Sequence, residues 1–61
     1  MQSIYTCKEN LNYVVYGYDH GAITPLFSHT SEEKCDDWAD NYAITQDMYY
    51  SRTESAYFKK R

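Results

Sequence analysis

The 61-residue sequence predicts an α+β domain, a small antiparallel sheet of three to four strands with one helix packed across one face. Three observations carry that expectation. Cys35, Trp38, Ala39 and Tyr42 recur at i, i+3, i+4 and i+7, which places them on one stripe of a helix. Tyr13 to Asp19 (YVVYGYD) is dense in Val and Tyr and reads as the strongest strand. Short breaks at Glu9–Asn12 and Asp19–Ala22 are polar or glycine-bearing, the chemistry of tight turns.

Taken in order, Ser3 to Glu9 reads as a strand, with Tyr5 and Cys7, the larger apolar pair, expected on its core side. Tyr13 to Asp19 follows, its Val14, Tyr16 and Tyr18 opposite Tyr13, Val15 and Gly17. Gly17 inside this strand signals a bulge or a close backbone approach. Gly21 accepts positive φ without steric cost, so the chain is expected to turn back there as a hairpin. Ala22 to His29 is the returning strand, with Ile23 and Phe27 on one side and Leu26 on the other. Pro25 removes a ladder donor and predicts an edge strand or a bulge.

The helix is expected from Thr30 to Ala43, started by a Thr30–Glu33 capping box. Ile44 to Asp47 then connects to a strand over Met48–Thr53. The tail beyond Thr53 stays open between strand, helix and disorder, since Ser51 and Glu54 have the spacing of a second capping box.

Composition bounds the rest. A single domain of this size buries only about 60% of the surface its unfolded chain exposes, so its core is marginal. Eight Tyr, two Phe and one Trp stand against two Leu, three Ile and two Val. Tyrosine suits half-exposed sites and interfaces, which favours a homodimer or a protein partner; it also simply suits strands. The net charge of −3 is unevenly spread. Residues 32–47 hold six acids and one base, whereas residues 48–61 hold four bases and one acid. An acidic helix beside a basic tail can steer a partner, and it can equally be a solvated surface. No apolar run reaches the length of a signal peptide or membrane span, so a soluble cytoplasmic protein without membrane contact is expected.

No enzyme motif is present, and no cofactor is expected. Cys7, His20, His29 and Cys35 make a Cys2His2 set but lack the close pairs by which zinc sites announce themselves. In a reducing compartment the two cysteines read as small buried apolar groups, with a Cys7–Cys35 disulfide as the alternative. Cys35 is flanked by Asp36 and Asp37, whose charges oppose a reactive thiolate. Tyr49, Tyr50, Tyr57 and Phe58 interleave with Arg52, Lys59, Lys60 and Arg61, a pattern suited to single-stranded nucleic acid. The acidic chain and the narrow basic footprint speak against that partner. A row of carboxylates on a rigid helix fits better the imitation of nucleic-acid phosphates toward a basic protein groove. The expected partner-binding residues are Glu32, Glu33, Asp36, Asp37 and Asp40, with Tyr42 or a strand tyrosine as adjoining anchor.

The run from Tyr13 to Tyr42, YVVYGYDHGAITPLFSHTSEEKCDDWADNY, resembles a layout of small phage and prophage accessory proteins. There a tyrosine-rich strand, a turn and a strand ending in Phe-Ser lead into a helix with a Glu-Glu-Lys start and an inward Trp-Ala pair. The resemblance implies a dedicated, non-enzymatic binder that inhibits or redirects a host enzyme or defence complex in the host cytoplasm. The competing expectation is a small nucleic-acid-binding regulator that uses the aromatic and basic tail.

Overall fold

The computed structural model describes residues 1–60. Five strands and one helix follow one another as β1 (Ser3–Glu9), β2 (Asn12–Asp19), β3 (Ala22–His29), α1 (Glu32–Thr45), β4 (Met48–Ser51) and β5 (Ala56–Lys59). The strands form one antiparallel sheet in the order β3-β2-β1-β5-β4, with α1 across one face. The expected class therefore stands, with one strand more than the sequence suggested. The tail that sequence left open is β5, and it lies inside the sheet between β1 and β4.

The length of α1 follows from its task. It leaves β3 at one edge and delivers β4 at the other. Four strand spacings amount to ~19 Å, and its 14 residues at ~1.5 Å each span ~21 Å. Because β3 and β4 point the same way, α1 must also return the chain along the strands, so it crosses diagonally.

The turns explain the registers. His20 (φ 50°) and Gly21 (φ 83°) both take positive φ between Asp19 and Ala22, the two-residue hairpin expected there. Asn10 (φ 55°) opens the β1–β2 turn. The β4–β5 loop spans residues 52–55 and closes with Ser55 at φ 54°. Within it the Glu54 N–H donates to Ser51 Oγ at 3.3 Å. The Ser51/Glu54 spacing thus marks a side-chain-closed turn and not a helix start.

Ile4, Val15, Cys35, Ala39, Ala43 and Met48 form the core between the layers. The three buried helix residues are small, which lets α1 approach the sheet closely. On β1 the buried side is that of Ile4, not of Tyr5 and Cys7 as expected. A branched aliphatic fills the space under a close helix without a hydroxyl that needs a partner, whereas Tyr keeps its oxygen at water on the outer face. Gly17 is the predicted close approach: a Cβ there would lie 2.7 Å from Met1 Sδ and 2.9 Å from Leu26 Cδ1. Opposite Val15 and Tyr16 the register of β3 shifts by one residue, so Pro25 marks both an edge strand and a bulge. The extra residue turns Leu26 and Phe27, expected on opposite sides, both toward the core and leaves Ile23, the expected companion of Phe27, on the outer face at 58% exposure.

Candidate protein-binding surfaces

The helix cap lies one residue later than the sequence suggests, and the helix runs Glu32–Thr45 in place of Thr30–Ala43. Ser31 is the N-cap; its hydroxyl accepts the Lys34 N–H at 3.4 Å, and the Ser31 N–H donates to His29 Nδ1 at 3.0 Å. The Thr30–Glu33 capping box is not formed, because the His29 ring holds Ser31 in the capping geometry instead. Its core stripe nonetheless lies as the sequence predicts, and this fixes the rest of the surface at about 100° per residue.

On one flank, Phe27, Trp38 and Tyr42 stack in series with centroids 5.2 and 5.0 Å apart and planes within 3° and 10°. This ladder seals the β3 side of the core. On the opposite flank and the outer side lie Glu32, Glu33, Asp36, Asp37 and Asp40, all exposed. The five predicted carboxylates are thus gathered on one surface, but Tyr42 is not beside them. The aromatic neighbour of that surface is Tyr57 of β5, whose hydroxyl donates to Asp40 Oδ1 at 2.9 Å. Tyr50 packs edge-on against Tyr57 at 5.0 Å and is half exposed. Sequence spacing could not find this anchor, since it depends on which strand pairs beside the helix.

The electrostatics of the flank are uncompensated. Among the described residues no Lys or Arg bridges to these carboxylates; the ion pairs involve Asp19 and Asp47 instead. Glu32 and Glu33 suit the positive end of the helix dipole. Asp36, Asp37 and Asp40 lie deeper in the helix, where the dipole offers little. The Asp36 carboxyl is held above its ordinary value, first by partial burial and then by Glu32 and Asp37. Tyr57 is pushed up to about 12 by burial, then by its hydrogen bond to Asp40 and by the Asp40 charge.

The sheet face away from α1 carries the second surface. The registers align Ile23, Tyr18, Ser3, Phe58 and Tyr49 in one row across all five strands. Tyr5 and Tyr16 pair beside it with ring centroids 5.7 Å apart. The Tyr16 hydroxyl donates to Glu9, which pushes its pKa up to about 12. A hollow of about 380 Å³ opens at the Pro25 bulge, beside Val14 and Tyr16.

The four groups of the Cys2His2 set are dispersed. Cys35 is buried with its Sγ–H donating to the Tyr13 carbonyl at 3.3 Å. Cys7 is half-buried on the other face of the sheet, so both thiols are free and the alternative of a disulfide fails. His29 serves the helix cap and His20 sits in a turn. Among the described residues no three His, Cys, Asp or Glu side chains converge on a metal-sized site, and no helix is long and apolar enough to cross a membrane. The chain matches no protein-family model, no curated protein and no solved structure.

Proposed function

We propose that the chain is a non-enzymatic protein-binding module whose acidic helix flank occupies a basic groove on a nucleic-acid-handling protein. One observation supports this above the others. Asp36, Asp37 and Asp40 are assembled on a rigid helix with no bridging base among the described residues, and partial burial, then the Glu32 and Asp37 charges, hold the Asp36 carboxyl above its ordinary value. Stability alone gives no reason for that arrangement, and a cationic partner relieves it. Tyr57, hydrogen-bonded to Asp40 and packed against the half-exposed Tyr50, supplies the aromatic anchor. The resemblance to phage accessory proteins adds that the partner is a host enzyme or defence complex in the host cytoplasm, inhibited or redirected by occupation of its groove. Nucleic-acid binding by the tail draws less support, because Tyr57, Phe58 and Lys59 are inside the sheet and Lys60 Nζ lies 3.6 Å from Asp47.

The test compares the wild-type chain with a triple Asp36→Asn, Asp37→Asn, Asp40→Asn variant as immobilised bait in host extract. Proteins retained by the wild type should elute with salt and with duplex DNA, and the variant should lose them while keeping its circular dichroism spectrum. Retention that ignores both the neutralisation and the DNA competitor would sink the reading.

A further inference from the structure

We propose that the uncovered sheet face is the contact surface of a homodimer, in which two copies pack sheet on sheet with their acidic helices turned outward. The inference stands on a different face from the acidic flank and does not depend on it.

A two-layer domain with a single helix leaves one side of its sheet without a layer. Here that side is aromatic: Tyr18 is 38% and Tyr49 49% exposed, with Tyr5, Tyr16 and Phe58 half-buried between them. Polar-out alternation is the rule for a sheet face that meets water, and this face breaks it. The core under the helix is small, with Ile4, Val15 and Cys35 its largest fully buried side chains. A second sheet at ~10 Å supplies the missing layer.

The area is sufficient. Strands of seven, eight, eight, four and four residues give roughly 500 Å² of plane at ~3.3 Å per residue and ~4.8 Å per strand. Two copies therefore cover roughly 1,000 Å² or more, the lower bound for a specific interface.

Charge selects a second copy as the occupant. The chain carries −3, and any association must keep the acidic helices apart; back-to-back packing puts both sheets between them. The face itself holds one carboxylate, Glu9, already accepting from Tyr16. At the opposite end of the strands Lys60 lies beside Tyr49 and Phe58 with its Nζ 3.6 Å from Asp47, while Lys59, in register with the buried Met48, sits on the helix side. A two-fold axis in the plane of the interface and across the strands brings the Glu9 end of one copy over the lysine end of the other. The sheet edges do not compete, since β3 is bulged at Pro25 and β4 is four residues long.

Sedimentation velocity over a wide concentration range tests the proposal, together with thiol labelling of Cys7, which lies on this face while Cys35 is buried. The expected species has twice the 7.3 kDa chain mass, and Cys7 labelling slows as concentration rises. Tyr18→Glu or Tyr49→Glu should raise the dimer dissociation constant by about a hundredfold or more, with the folded spectrum kept. The triple helix neutralisation should leave the dimer intact, which separates this inference from the proposed function. If either glutamate variant fails to fold, the wild-type labelling dependence alone decides. A monomer at every concentration overturns the proposal, as does a dimer in which Cys7 labels at the monomer rate.

Discussion

Tyr57 joins the two layers by a single hydrogen bond, and its chemistry makes that bond measurable. Its pKa of about 12 lies above the ordinary tyrosine value, so the folded state holds the phenolic proton more tightly than the unfolded chain does. The associated stability is complete below about pH 10 and is lost as pH rises toward about 12. Absorbance titration should show Tyr16 and Tyr57 ionising last, and Asp40→Asn should move Tyr57 down while burial keeps it above normal. Asp36 gives the opposite lesson. Its raised carboxyl pKa means that the ionised form opposes folding, so Asp36→Asn should stabilise the chain at neutral pH, by no more than about 0.5 kcal/mol at this exposed site. Thermal melts check the sign. A substitution that strengthens the fold while weakening partner capture marks a residue kept for binding. At this scale the sequence shows the carboxylates, because helical period alone gathers them, but it offers Tyr42 or an unspecified strand tyrosine where the structure offers Tyr57 of β5. Which aromatic lies beside Asp40 depends on strand order, and strand order is not a local property.

Among the elements, the two ends of α1 and the last hairpin carry distinct expectations. Ser31→Ala should cost about 0.5–1 kcal/mol and Thr30→Ala almost nothing, as read by urea denaturation, because Ser31 alone caps the Lys34 N–H. Ser55 sits at φ 54°, where a side chain is strained. Ser55→Gly should therefore gain about 0.5–1 kcal/mol in the same assay. The strands β1 to β3 were legible because alternation and turn residues agree over most of their length. On β1 side-chain size points to Tyr5 and Cys7 as the inner pair, but the need of a tyrosine hydroxyl for water outweighs size and puts Ile4 there. Simple alternation puts Ile23 and Phe27 on one side, and the bulge at Pro25 reverses that parity midway. β5 was hidden because Ser51 and Glu54 have the same spacing in a closed turn as in a helix cap.

The whole molecule measures 35 × 22 × 22 Å and has a core only one side chain deep. Ile4→Ala should cost about 3 kcal/mol, a large share of what a domain of this size holds in reserve. Trp38, stacked between Phe27 and Tyr42, reports that loss by fluorescence. If two copies share the sheet face, the melting temperature should climb with protein concentration and cease to do so in Tyr18→Glu. Fold class was readable from period and punctuation, whereas the central place of β1 was not, since nothing local says that its second neighbour is the last strand. That pairing has a kinetic consequence. Ser3 faces Phe58, and the Lys59 N–H donates to the Gln2 carbonyl at 2.9 Å, so the first and last strands meet only after the longest loop in the chain has closed. A circular permutant that links them through a short turn and opens at Asn10–Leu11 turns this closure into a local hairpin. The same cut parts β1 from β2, and their seven-pair ladder outweighs the two pairs between β1 and β5; contact order therefore rises, and the permutant should refold more slowly than the parent with the same sheet.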